Sequence, residues 1–153
     1  MELELQRARG LEAQHPGEAA DLYESIIHGV DSSDDAVKVK ESAILYLGDL
    51  YAQQNQGEKL GQLLRALRPF FATVPKAKTA KIVRTFIDQA AKIPGSRSLQ
   101  MSLCRESIEW CISEKRSFLR QRIQSRLAAL LLESKQYTEA LELLNELLSE
   151  VKR

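Results

Sequence analysis

The sequence predicts an all-α protein, on three observations. Turn-forming stretches interrupt the 153 residues at similar intervals. The eight segments between these stretches are of helix length and are rich in alanine, leucine, glutamate, lysine, glutamine and arginine, which favour helix. No segment shows the alternation of apolar and polar residues that is typical of a strand.

The turn-forming stretches set the predicted helix boundaries. They contain proline, glycine, asparagine, serine and aspartate, which favour turns. In chain order they are residues 15–17, 31–34, 55–57, 69–75 and 93–96, with weaker polar breaks at 113–115 and 133–135. Consecutive helices are predicted to pair as four antiparallel hairpins, whose first helices begin near residues 2, 35, 76 and 115.

The second and fourth hairpins partly follow the tetratricopeptide repeat, a helical hairpin of about 34 residues with the pattern Trp-x2-Leu-Gly-x2-Tyr and then Ala-x3-Phe, while the first and third match it poorly. In the first hairpin only Ala19 and Tyr23 fit this pattern. In the second, residues 44–51 run Ile-x2-Leu-Gly-x2-Tyr, and Leu60-x3-Leu64 follows. The glycine allows paired helices to approach closely, while the large residues fill the space between turns.

Pro69 marks the predicted end of the second hairpin. Its ring nitrogen cannot donate a hydrogen bond to the carbonyl of Arg65, so we expect it to kink or end the fourth helix. We also expect the chain to turn there and to carry Phe70 and Phe71 into the third hairpin.

The third and fourth hairpins show the clearest helical periodicity. In the helix after residue 75, apolar residues cluster on one face and basic residues lie opposite or at the margins. In the fourth hairpin, residues 124–131 run Gln-x2-Leu-Ala-x2-Leu, and Ala140-x3-Leu144 follows. The last helix carries leucines on one face and glutamates on the other.

Together these features predict a right-handed helical solenoid of four antiparallel helix pairs, built from degenerate tetratricopeptide-like repeats. We expect this solenoid to occupy residues 1–153 as a single domain. A compact helical bundle is the alternative arrangement.

The composition excludes several classes of protein. A hydrophobic fraction of 44% and a net charge of +1 exclude intrinsic disorder. The longest apolar run, residues 127–132, is far shorter than the roughly 18–20 residues that span a bilayer. No signal segment opens the chain, so we expect a soluble, intracellular protein. Cys104 and Cys111 lie about 10 Å apart along one predicted helix, too far for a disulfide, and are expected to be buried thiols.

The reactive residue types do not assemble into a catalytic site. His15 and His28 lie beside predicted turns and lack an activating neighbour. No glycine-rich phosphate loop occurs, and the two cysteines lack the further ligands that a metal needs. We therefore predict a non-catalytic protein without a metal or cofactor.

Charge is strongly segregated along the chain. Residues 1–58 carry a net charge of −8, residues 59–132 carry +11 and residues 133–153 carry −2. The basic segment is open to three interpretations: solvated helix faces balanced by nearby acids, a nucleic-acid surface, or a docking surface for an acidic protein. Nucleic acid is disfavoured because Phe118 is the only aromatic residue in the arginine-rich stretch, and we expect that ring to pack.

The docking interpretation assigns partner binding to six residues of two predicted helices: Lys76, Lys78, Lys81, Arg84, Arg116 and Arg120. Arg122 and Arg126 instead lie at the edge of an apolar stripe. We expect them to line a groove between helices or to pair with carboxylates, for which the arginine fork is suited. Pro69 and Trp110 are also expected to serve packing.

Several strings are recognisable. Residues 107–120, continuing through Arg126 and Leu127 to 135–141, resemble a lid subunit of the 26S proteasome regulatory particle, of the non-ATPase regulatory subunit 11 family. Shorter strings within 37–48, 67–70, 76–78 and 83–84 resemble the same family. The similarity runs in register from about residue 20 to the end, while residues 93–96 depart from the family pattern.

The resemblance implies a non-catalytic scaffold with an N-terminal superhelix of paired helices and a C-terminal winged-helix PCI module, of which this chain would hold only the first third. It implies a helical arm that tethers lid and base to the α-ring of the core particle in ubiquitin-dependent degradation. The implied partners are a core-particle α-ring subunit, a base ATPase subunit and other lid subunits. The implied location is cytoplasm and nucleus.

Two alternatives to this function stay open: a scaffold subunit of the related COP9 signalosome, and a helical-repeat module that binds nucleic acid. No membrane or nucleic-acid partner is expected on the leading interpretation. The apolar stripe of the last helix is wider than one neighbour usually covers. It predicts weak self-association through Leu143, Leu147 and Val151.

Overall fold

Helices form nearly all of the regular structure. The structure is a computed structural model that describes the backbone of residues 2–151 and the side chains of residues 2–150. Within that range the helices are α1 (Glu2–Leu11), α2 (Pro16–Ile27), α3 (Asp34–Gln53), α4 (Gly57–Ala66), α5 (Arg68–Phe71), α6 (Lys76–Ala91), α7 (Arg97–Ser113), α8 (Ser117–Glu133) and α9 (Tyr137–Val151). The predicted all-α class is confirmed, because no strand occurs among the described residues.

The seven predicted breaks all separate helices, but the prediction for Pro69 is wrong in detail. Helix α4 ends at Ala66, before the proline, and Leu67 caps it. Pro69 is instead the second residue of the short helix α5, where a missing N–H leaves no hydrogen bond unmade. Its side chain is exposed, so it is not the packing residue that the sequence indicated.

The contacts divide the chain into two compact units, one ending at Pro69 and the other beginning at Phe70. In the first unit α1 packs on α2, α2 on α3 and α3 on α4, with a further contact between α1 and α3. In the second unit α6 packs on α7, α7 on α8 and α8 on α9. This order is consistent with a helical solenoid, while the four-pair arrangement and the single domain stay predictions.

Three helix connections share one geometry. Each has three residues, and its middle residue has a positive φ: 56° at Asn55, 55° at Lys115 and 61° at Lys135. The next backbone N–H then donates to a carbonyl five residues earlier, which closes the helix end. The three bonds are Gln56 to Tyr51, Arg116 to Cys111 and Gln136 to Leu131. So short a turn makes consecutive helices antiparallel neighbours.

Ion pairs between helix ends fix the direction of the helices in the second unit. Arg97 at the start of α7 lies 3.9 Å from Glu133 at the end of α8. Arg120 near the start of α8 pairs with Glu150 near the end of α9. Helices α7 and α8, and α8 and α9, are therefore antiparallel. Helices α6 and α8 run in the same direction, because their first residues line one groove while Asp88, late in α6, pairs with Arg126 further along α8.

An aromatic cluster holds the turn that precedes α8. Phe71 is buried, and its ring centroid lies 5.6 Å from that of Trp110. The guanidinium carbon of Arg116 lies 4.7 Å from the Trp110 centroid, within the range of a cation–π contact. Arg116 Nη2 also donates to the Phe71 carbonyl at 3.2 Å. One arginine thus joins the segment before α6, the end of α7 and the start of α8.

We expect Arg116→Met to destabilise the protein by about 1–2 kcal/mol, because the variant loses a charged hydrogen bond and a cation–π contact. The loss is partly offset, since Arg116 Nη1 is buried without a hydrogen-bond partner in the described structure. Urea unfolding measures the change, and emission of Trp110, the only tryptophan, should shift in the folded state.

The matched control is Lys115→Met, which removes an exposed cation from the adjacent position without touching the tryptophan. We expect it to leave both stability and emission close to those of the parent protein. Equal effects of the two substitutions would show that the cluster does not hold the turn.

Candidate functional site

A groove of about 390 Å³ lies where the N-terminal parts of α6 and α8 come together. We call it the basic groove. It is lined by Lys76, Ala77, Ala80 and Arg84 of α6, by Lys115 and Arg116 of the turn, and by Ser117, Phe118, Leu119 and Arg122 of α8. All of these residues belong to the second unit.

The lining combines an apolar centre with a cationic rim. Two alanines of α6 and two large apolar residues of α8 form the centre, and five lysines and arginines form the rim. No acidic side chain lines the groove. Phe118 keeps 69% of its surface exposed, and the guanidinium carbon of Arg122 lies 4.7 Å from its ring centroid. Apolar surface that is both exposed and concave favours binding.

The five rim cations lack an acidic partner among the described side chains, whereas the other described arginines of the second unit each have one. No carboxylate lies within ion-pair distance of any rim cation among the side chains of residues 2–150. By contrast, Arg105 pairs with Glu139 at 2.6 Å and Arg126 pairs with Asp88. The positive charge of the groove is therefore not neutralised by any carboxylate at ion-pair distance among the described side chains.

Both helices that border the groove also begin without a side-chain cap. The residues that precede α6 and α8 are Pro75 and Arg116, and neither side chain accepts a hydrogen bond from the first turn. The first backbone N–H groups of a helix lack partners within it and carry the positive end of the helix dipole. These groups add to the positive potential of the groove.

The structure brings together only some of the residues assigned to partner binding from the sequence. Lys76, Arg84 and Arg116 line the groove. Lys78 and Lys81 lie on the same helix as Lys76 and Arg84 but outside the lining.

Arg120 must be reassigned from partner binding to internal packing. Its two terminal nitrogens donate to the two carboxylate oxygens of Glu150 at 2.9 and 2.8 Å. This hydrogen-bonded pairing raises the pKa of Arg120, and only 18% of the side chain is exposed. The guanidinium therefore joins α8 to α9 and is occupied.

Arg122 and Arg126 were expected either to line a groove or to pair with carboxylates, and each residue has one of these roles. Arg122 lines the basic groove, while Arg126 reaches from α8 to the carboxylate of Asp88 on α6. The contact is an ion pair between two helices of the unit, and it lies at the surface because 61% of the Asp88 side chain is exposed.

Sequence reasoning assigned four of the ten lining residues to the site and missed the other six, among them Lys115 and Phe118. The expectation that Phe118 packs is wrong, since the ring is largely exposed. The apolar periodicity of α8 could have predicted this exposure. Its buried stripe runs through Leu119, Ile123 and Leu127, and Phe118 lies outside that stripe.

The other candidate chemical groups are placed as follows. Burial raises the pKa of the Cys104 and Cys111 thiols to about 11, so both are neutral at physiological pH. His15 is exposed, and His28 lies 3.2 Å from Glu24 within one helix turn.

Among the described residues, no three histidine, cysteine or acidic side chains are grouped to hold a metal ion. None of the described helices combines the length and apolarity needed to cross a membrane.

Comparison with known proteins gives a match over most of the chain. Residues 1–134 match the family described as the 26S proteasome regulatory subunit RPN6 N-terminal domain. The Arabidopsis thaliana protein named 26S proteasome non-ATPase regulatory subunit 11 homolog is 52% identical over 136 residues, which cover 89% of this chain and 32% of that protein.

Two fungal relatives agree. The Schizosaccharomyces pombe protein named probable 26S proteasome regulatory subunit rpn6 is 41% identical over 136 residues, covering 88% of this chain and 32% of the relative. The Saccharomyces cerevisiae protein named 26S proteasome regulatory subunit RPN6 is 34% identical over 125 residues, covering 82% of this chain and 29% of the relative. The chain thus spans about a third of the length of the relatives it matches.

The resemblance noted in residues 107–141 is therefore confirmed. Because the family match extends over residues 1–134 of 153, the chain belongs to the family of the 26S proteasome regulatory subunit RPN6 N-terminal domain.

Proposed function

We propose that this chain is the N-terminal arm of a proteasome lid subunit and acts as a non-catalytic scaffold that tethers lid and base to the α-ring of the core particle. Its partners would be an α-ring subunit, a base ATPase subunit and neighbouring lid subunits, in cytoplasm and nucleus. The family match supports the assignment, and the named relatives are regulatory subunits of the proteasome.

The observation that carries the proposal is the basic groove, whose five cations have no acidic partner among the described residues. Such a surface speeds association with an acidic protein and fixes its orientation, and its contribution weakens with salt. Arg105, Arg120 and Arg126 of the same unit, by contrast, are paired with carboxylates.

The alternatives have less support. The relatives described above are named as proteasome subunits, which favours the proteasome over the COP9 signalosome. A single-strand nucleic-acid surface stacks successive bases on several aromatic rings. Phe118 is the one aromatic side chain that lines the basic groove, and Arg122 already stacks against it.

Charge reversal in the groove tests the proposal. The triple variant Lys76→Glu, Arg84→Glu and Arg122→Glu should bind immobilised core particle, or purified lid–base complexes, at least about tenfold more weakly than the parent chain, because attraction becomes repulsion. Binding of the parent chain should also decrease as salt is raised, since salt screens exposed charges.

The control is the triple variant Lys38→Glu, Lys59→Glu and Lys135→Glu, which changes the total charge equally at exposed positions outside the groove. It should bind nearly as well as the parent chain. If reversal in the groove leaves binding unchanged, or both triple variants lose it equally, the basic groove is not the contact.

The last helix offers a second surface. Tyr137, Leu141, Leu144 and Leu148 are exposed and recur at intervals of four, three and four residues, which places them along one side of α9. The residues first expected there differ: Leu143 and Leu147 are half-buried, and the Val151 side chain lies outside the described residues. We propose that weak self-association uses the exposed set.

Sedimentation equilibrium should therefore give an average mass that rises with protein concentration. The variant Leu144→Glu with Leu148→Glu should restore a monomer mass, because it places charges in the stripe. Ile112→Glu, at an exposed apolar residue of α7, is the control and should associate like the parent chain. A monomer mass for the parent chain at every concentration would contradict the proposal.

A further inference from the structure

We propose that the basic groove binds a short, extended acidic segment of a partner protein, with one apolar side chain of that segment seated on Phe118 between carboxylates that meet the rim. The inference rests on the proposed function and names the chemistry that the docking surface selects. It goes beyond a general attraction between charged surfaces because it requires the apolar centre as well as the charge.

The two walls of the groove have a similar order of residue types. On α6, Lys76 comes first, then Ala77 and Ala80, then Arg84. On the opposite wall, Lys115 and Arg116 come first, then Ser117, then Phe118 and Leu119, and finally Arg122. Because α6 and α8 run in the same direction, cations meet cations at each end and apolar residues meet between them.

The spacing of the charges sets the length of the ligand. Lys76 and Arg84 are eight residues apart on one helix, which corresponds to about 12 Å at a rise of about 1.5 Å per residue. An extended chain advances about 3.3 Å per residue, so three or four residues cover that distance. An acidic residue at each end of such a stretch would meet the rim while an apolar residue between them meets the centre.

Alanine at positions 77 and 80 leaves the space that an apolar side chain would fill. A larger residue on this wall would close the gap opposite Phe118 without altering the charge. Phe118 is exposed far more than a residue that serves packing alone, and Leu119 beside it is buried and fixed in the core. The centre of the groove is therefore apolar and accessible.

The groove is also held in shape before a ligand arrives. Arg116 is fixed by the Trp110 ring and the Phe71 carbonyl, so the turn that carries Lys115 is anchored to two other segments. The contact of Arg122 with Phe118 orients both side chains along the α8 wall. A preorganised site loses less conformational entropy on binding than a flexible one.

A protein segment fits these features better than an oligonucleotide. Phosphates would satisfy the rim, but Phe118 is the one aromatic ring in the lining, so successive bases would have no series of rings on which to stack. An acidic peptide with an apolar residue uses both the rim and the centre.

The probe is a fluorescently labelled peptide, Glu-Asp-Glu-Leu-Glu-Asp-Glu with a blocked C-terminus, titrated with the full chain and followed by anisotropy. Two companion peptides separate the contributions. One replaces the leucine by serine, and the other replaces each acid by its amide. Both should bind at least about fivefold more weakly, because one loses the apolar contact and the other loses the charge.

Variants of the chain assign the binding to the groove. Phe118→Ser, Arg122→Gln and the space-filling Ala77→Leu should each weaken binding of the leucine peptide by at least about fivefold. The matched controls are Ile112→Ser, at another exposed apolar residue, and Lys38→Gln, at an exposed lysine of α3 outside the groove. Both controls should bind the peptide like the parent chain.

Three results would overturn the inference: no saturable binding of the leucine peptide, equal binding of the serine peptide, or equal losses in the control variants. Tighter binding of a ten-residue oligothymidylate than of the peptide would also overturn it in favour of nucleic acid. None of these results bears on capture of the core particle, which is measured separately, so the proposed function can stand if this inference fails.

Discussion

The contact between Phe71 and Trp110, closed by Arg116, is the interaction on which the basic groove depends. It fixes the short turn between α7 and α8 and therefore the point at which α8 begins. Because α7 reverses the chain between α6 and α8, the same contact helps to bring two helix N-termini to one end of the unit. The groove is the space left between those two ends, and its charge comes from residues that have no carboxylate within ion-pair distance among the described side chains.

The helix boundaries were largely predictable because they depend on local chemistry. Proline, glycine and short polar residues stop a helix wherever they occur, and the weak break at Ser113-Glu114-Lys115 became a turn with Lys115 in the left-handed region. The sequence does not predict helix α5, because the expected turn at residues 69–75 includes three of its four residues. Proline is common both in the first turn of a helix and just after the end of a helix. The sequence therefore does not show whether Pro69 follows α4 or belongs to a new helix.

The candidate site was predictable only as a region. The net charge of residues 59–132 located the basic segment, but it did not say which cations are occupied. Arg120 is neutralised by Glu150 and Arg126 by Asp88, at sequence separations of 30 and 38 residues, and those pairings follow from helix packing alone. The expectation that Phe118 packs is wrong because it rests on residue type alone. The position of Phe118 around the axis of α8 turns its ring to the exposed side of the helix.

The left-handed lysines have a consequence for how far this chain can be stabilised. A residue with a side chain costs about 1–2 kcal/mol in that conformation, and glycine would remove the cost. At Lys135, which lies outside the basic groove, the exchange would alter only stability. At Lys115 the same exchange would delete one of the rim cations. Glycine at position 135 would therefore raise stability without changing the basic groove. Glycine at position 115 would raise stability but lower the positive charge of the groove.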